Sequence, residues 1–154
     1  MTRDQDLSGR ERDSAGRARQ ARPRDRLGRP LPYGAVGVEP VSDEALPPVE
    51  TVSRARELLD QGRPFSAHEV LEARWKAAPD HERDLWQGLA QLCVALTHAE
   101  RGNRAGAERL LERATDHLNT HLARDLDAEP YGVDVRASIA CARDRIAAPP
   151  ADHA

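Results

Sequence analysis

The sequence is short of several things that would assign it a class at once. It has two cysteines, Cys93 and Cys141, too few for a disulfide framework and without the paired spacing of a zinc site. Buried, inert thiols in a reducing compartment are the expectation, which points to the cytoplasm. The longest uninterrupted apolar stretch, Leu92 to Leu96, has five residues, against the roughly 20 that a membrane span needs. The N-terminus has no apolar signal core. Charge of one sign is lacking too: 23 basic residues face 26 acidic ones, so the field of a dedicated nucleic-acid or anionic-membrane binder is missing. Lys76 is the only lysine, an arginine preference that fits coding bias better than recognition. No glycine-rich phosphate loop is present, which excludes nucleotide hydrolysis of the P-loop type.

What remains, 154 residues of which 39% are hydrophobic and 3% aromatic, fits one modest domain with a polar tail. Residues 1–48 carry nine arginines, eight acidic residues and prolines at 23, 30, 32, 40, 47 and 48. Such a stretch cannot bury enough apolar surface to offset its ordering entropy and is expected to be a flexible arm. Its net charge is only +1 with interleaved acids, which argues against nucleic acid as a partner. The second half, Leu27 to Val41, is less extreme and could lie extended across the folded part.

From residue 49 to 147 the periodicity is helical, with no strand-like alternation, so the fold class is all-α: a bundle of about five helices with a central antiparallel pair. Helix one starts at Pro48 and stops at Gly62. Ser66 and Glu69 have the spacing of a capping box, and Phe65 and Val70 that of a hydrophobic staple. Together they predict that the second helix starts there, and Pro79 ends it. Asp80 is the expected N-cap of the third helix, which runs to Gly102 over about 30 Å at 1.5 Å per residue. The Gly102–Asn103 pair is the stop and restart before helix four, and Gly88 and Gly106 would let helix backbones approach. Asp134 caps a last helix that Pro149 and Pro150 terminate. Residues 148–154 are expected to be a disordered tail. Gly62, Ala67 and Leu71 recur as Gly102, Ala107 and Leu111, but two hairpins fall short of the three or so that a solenoid needs.

The residues that could carry chemistry lie on two stripes. His68, Glu72 and Trp75 share one face of the second helix, next to Leu71, and Glu69 adjoins them. Gln87, Gln91 and His98 share a face of the third. The seven form the candidate ligand-binding set, provided the two helices bring the stripes together. A hydrogen-bonded His68–Glu72 pair is equally the normal way to satisfy a partly buried imidazole. A His-Glu-x-x-His zinc signature is broken, because its last position is Glu72. His68, Glu72 and His98 could still hold a divalent metal. A His68–Glu72 acid–base dyad is the catalytic alternative, although no nucleophile stands out. His81, His117, His121 and His153 are read as surface residues.

The run Phe65 to Trp75, with His-Glu-Val-Leu-Glu at its centre, is followed by Leu85-Trp86-Gln87-Gly88-Leu89-Ala90-Gln91 and by Thr97 to Asn103 with Gly106-Ala107. Together these motifs resemble the bacterial and plastid family called domain of unknown function 309, over roughly residues 49–122. The lead Gly28-Arg29-Pro30-Leu31-Pro32-Tyr33-Gly34 is similar to that of actinobacterial members. The resemblance implies a small all-helical domain with His68, Glu69, Glu72 and Trp75 as its characteristic motif, and Gln87, Gln91, His98, Gly102 and Asn103 as later motif positions. It implies no activity. The expectation is therefore a helical domain that binds a small molecule or a protein partner through the polar stripe, with homo-oligomerisation open and no cofactor indicated. A hydrolase using His68 and Glu72 as acid–base pair or metal ligands is the competing expectation.

Overall fold

The computed structural model describes residues 11–12, 18–19, 22–124, 127 and 129–148. The tail beyond residue 148 and most of the arm before residue 22, like His153, lie outside the described residues. Extended pairing is limited, among the described residues, to β1 (Glu11–Arg12) and β2 (Ala18–Arg19), antiparallel with Glu11 opposite Arg19, and a bridge between Arg24 and Pro30. Five helices follow: α1 (Pro48–Asp60), α2 (Pro64–Ala77), α3 (Arg83–Glu100), α4 (Arg104–Arg124) and α5 (Val135–Ala147). The all-α bundle with an irregular lead is as the periodicity predicts.

α3 is the central element. It packs most extensively on α4 and next on α2, with α5 against both α3 and α4, and it buries Leu85, Trp86, Leu89, Leu92, Cys93 and Leu96. Gly88 makes the α3–α4 approach possible: a Cβ there would stand 2.6 Å from Leu118 Cγ and 3.2 Å from the Ala114 carbonyl oxygen. Gly106 has a different role from the one expected. Its missing side chain leaves room for Asn103, whose Oδ1 accepts the Gly106 N–H at 3.0 Å and caps α4. Gly102, at φ +82°, supplies the left-handed turn between α3 and α4.

Three local expectations need correction. α2 starts at Pro64, two residues before the predicted cap, because proline is favoured at the first helical position, where its missing N–H costs nothing. Ser66 is already inside the helix, and its hydroxyl accepts from Arg63 Nη2 at 3.1 Å, so no capping box forms. Asp80 does not cap α3: Asp80–Glu82 form a 3₁₀ turn, and the α-helix begins at Arg83. Asp134 does cap α5, accepting the Ala137 N–H at 2.9 Å.

Surface assignments also shift. His121 is 2% exposed, because it continues the buried Ala107, Ala114 and Leu118 stripe of α4. Neither of its ring nitrogens has a hydrogen-bond partner among the described residues. His117 is half-buried, with Nδ1 2.8 Å from Asp84 Oδ1, and Arg124 holds the other Asp84 oxygen at 3.1 Å. Cys93 is buried, and burial pushes its thiol up to about 12. Cys141 is exposed on α5, contrary to the expected burial.

Residues 22–47 lie against the helices. Asp25 Oδ1 accepts the N–H groups of Leu27 and Arg29, both at 2.9 Å, and Oδ2 meets Arg29 Nε at 2.8 Å. Burial works against the carboxylate, but these hydrogen bonds outweigh it and hold Asp25 below its usual pKa. The turn that results delivers Leu27, 2% exposed, into the fold. The Arg101 guanidinium donates to the Leu27 carbonyl, and Arg26 pairs with Glu100 at 2.8 Å. Farther along, Arg63 donates to the Glu39 carbonyl at 2.5 Å and Arg74 to that of Leu46 at 3.2 Å.

Candidate functional site

α2 is held between the 22–47 segment and α3, so its His68 stripe runs along a seam and is only partly open to water. The helix places His68 and Glu72 one turn apart, with His68 Nε2 3.0 Å from Glu72 Oε2. One more turn on, Lys76 Nζ stands 3.3 Å from Glu72 Oε1. The His68 ring packs at 51° to Phe65, with centroids 5.5 Å apart. Phe65 in turn lies against Gly28, where a Cβ would come within 2.3 Å of its ring. Arg24 reaches over the same ring at 5.9 Å and also donates to the Gly28 carbonyl at 2.6 Å. Trp75 is half-buried against the core, with the Arg83 guanidinium 5.5 Å above its ring.

Burial pushes the His68 imidazole below its ordinary value, and the Lys76 ammonium adds to that effect. The Glu72 carboxylate and the Phe65 carbonyl favour the charged ring but do not overcome desolvation. His68 is therefore neutral at pH 7, with Nε2–H assigned from its hydrogen bond to Glu72. Nδ1 is buried and, among the described residues, has no partner in hydrogen-bond geometry, although the Phe65 carbonyl lies near the ring. Burial raises the Glu69 carboxyl and Glu72 adds to it, with the Arg24 and Arg63 cations opposing.

The seven predicted residues do not form one constellation. His68 and Glu72 are paired, Glu69 and Trp75 flank them, and Gln91 is half-buried, its Oε1 without a hydrogen-bond partner among the described residues. No hydrogen bond among the described residues joins the α2 stripe to Gln87, Gln91 or His98. His98 turns instead to the α3–α4 junction, where its Nδ1 is 3.0 Å from Asn103 Nδ2. Among the described residues no three His, Cys, Asp or Glu side chains come together as a metal set, so His68, Glu72 and His98 do not converge. The hairpin geometry explains this: His98 is on the last turn of an antiparallel neighbour, beside the start of α2, while Glu72 is past its middle.

Reading the sequence missed the cations around the stripe. Lys76 was legible as the i+4 partner of Glu72. Arg24 and Arg83 reach the stripe through tertiary packing and leave no local signal. Nor does the stripe coincide with the cavity of about 330 Å³ that opens between α1, α3 and α5; none of the seven residues lines it.

Residues 52–110 match the family model described as domain of unknown function (DUF309). That segment runs from α1 into α4 and contains all seven candidate residues, whereas the 22–47 segment and α5 lie outside it. Over 71 residues the chain is 50% identical to "Uncharacterized protein YpuF" of Bacillus subtilis (strain 168). The alignment takes in 46% of this chain and spans 39% of the length of that relative. No solved structure matches the chain.

Proposed function

We propose that the chain is a non-catalytic binding module whose α2 seam receives a small polar ligand. The reading is supported by one observation above all: Trp75 Nε1 and Gln91 Oε1 are buried polar atoms with no hydrogen-bond partner among the described residues. Each such atom forgoes about 1–3 kcal/mol of stability, and an apolar side chain of similar shape would be cheaper. Residues held at the expense of stability are characteristic of binding sites. The Trp75 donor and the Gln91 acceptor on neighbouring helices, with Glu72, Lys76 and Arg83 along the stripe, suit a compact ligand that itself carries donors, acceptors and charge. The enzyme reading fares worse, because the basic nitrogen of His68 is sealed from solvent and no nucleophile accompanies it. Cytoplasmic residence, and kinship of the Gly28–Gly34 lead with actinobacterial members, belong to the same reading. No helix among the described residues is long and apolar enough to cross a membrane.

The test is a thermal-shift screen of polar metabolites on wild type, Trp75→Phe and Gln91→Leu. Both variants are expected to be as stable as wild type or more so, and hits on wild type are expected to vanish in both. A loss above about 2 kcal/mol in each variant would make the residues structural and end the proposal.

A further inference from the structure

The α1–α3–α5 cavity is lined by aliphatic side chains, Val52, Ala55 and Leu59 from α1 and Leu89, Leu92 and Leu96 from α3, with Leu71 of α2 and residues of α5 completing the wall. Its volume of about 330 Å³ is that of a small-molecule site. At roughly 30 Å³ per water-sized group, it holds a chain of about ten such groups. Val133, Asp134 and Arg145 also line it, and α5 rises about 15 Å between Val135 and Arg145, so Asp134 and Arg145 stand well apart along its wall.

Charge distinguishes the two ends of α5. At the start of α5, Asp134 is occupied as the helix cap, and Arg56 donates to the Gly132 carbonyl at 2.7 Å. At the far end Arg145 is loosely held. Its ion pair with Glu100 Oε1 is a long 3.8 Å, while Arg26 takes the other Glu100 oxygen at 2.8 Å. The field of Arg145 reaches into the cavity, because it opposes the effect of burial on the Cys93 thiol in the cavity wall. An apolar cavity with a loosely paired Arg145 near the end of α5, and Asp134 beside an engaged Arg56 near its start, selects a single-headed anion with an apolar tail.

From this we infer that the cavity binds an unbranched medium-chain carboxylate, with its tail between α1, α3 and α5 and its head at Arg145. The site is separate from the α2 seam and does not depend on the role proposed for it.

Titration calorimetry of the full chain with octanoate, and with octanol as the uncharged control, tests the inference. One-to-one octanoate binding is expected, weakened at least tenfold in Arg145→Gln, with octanol indifferent to that substitution. Ala137→Trp, at an exposed position of the cavity wall, is expected to abolish both. No saturable octanoate binding, or equal affinity in wild type and Arg145→Gln, would overturn the inference. So would a wild-type dimer in sedimentation that Ala137→Trp dissociates, since the occupant would then be a second copy. Arg145 is exposed, so its variant keeps the test decisive even if Ala137→Trp fails to fold.

Discussion

Replacing Gly88 with alanine sets two effects of opposite sign against each other at the most extensive helix–helix interface among the described residues. Helix propensity favours the change by about 1 kcal/mol, since α3 carries the glycine in its interior. Packing opposes it. The new Cβ would meet Leu118 Cγ at 2.6 Å and Cδ2 at 2.8 Å, so Leu118 must retreat by about 0.8 Å to reach ordinary contact at 3.4 Å. Leu118 is fully buried, and so is Ala114, whose carbonyl oxygen at 3.2 Å belongs to the α4 backbone and cannot rotate away. Overpacking of this kind costs about 1–3 kcal/mol, and with no room to yield the upper part of that range applies. The net expectation is a loss of about 2 kcal/mol, or a thermal midpoint lower by about 4–8 °C for a domain of this size. Urea unfolding followed by far-UV circular dichroism measures it. Leu118→Ala alone should cost about 2–5 kcal/mol, and the double variant should cost less than the sum, because the added methyl occupies the vacated space. A stabilised Gly88→Ala, or strict additivity with Leu118→Ala, would refute the close-approach argument.

Stability should rise with pH on the acid side of 6.5: the unfolded His68 takes up a proton at its ordinary 6.5, whereas the folded ring resists until lower pH. Glu69 has the opposite sign, because its folded carboxyl keeps its proton above the ordinary 4.5 and its ionisation then costs stability. Urea midpoints across that range for wild type, His68→Gln and Glu69→Gln separate the two, and Glu69→Gln should be the more stable chain at pH 7. His121→Leu should leave stability unchanged or raise it, as it removes two buried nitrogens without partners among the described residues; a urea midpoint that falls would point to a partner for the ring. A thiol reagent should modify Cys141 in the native state and Cys93 only on unfolding. Gly28→Ala combines a φ of +76° with a clash against the Phe65 ring and should release the 22–47 segment, read as faster proteolysis within it.

Much of the bundle was legible because its signals are local. Pro48, Gly62, Pro79, Gly102 and Asp134 act on their own neighbours, and the aliphatic spacing of α3 and α4 is uninterrupted. The start of α2 was misplaced because two local signals compete there: a capping-box spacing at Ser66 and a proline at the first helical position. Propensity for the latter prevails, and Arg63 stabilises the earlier start through Ser66 and the Glu39 carbonyl. The burial of His121 was readable in principle from its heptad relation to Ala107 and Ala114, but a polar residue type outweighed its position. At the site, the His68–Glu72 pair follows from helical spacing alone. The packing of Gly28 on Phe65, and the positions of Arg24 and Arg83, required tertiary structure. His98 could not be assigned without knowing how far along its neighbour each residue of α3 lies.

Glu100 has two carboxylate oxygens and two clients: Arg26 from the segment before α1 and Arg145 from α5. The two flanks of the chain thus meet on one side chain, at the end of the helix that both enclose. They draw on the same negative charge, so a gain by one arginine is a loss to the other. Loosening Leu27 from the fold would free Glu100 for Arg145 and draw that arginine away from the cavity mouth. A change near residue 27 would in this way be registered at Arg145, roughly 120 residues later in the sequence yet only one carboxylate away in space.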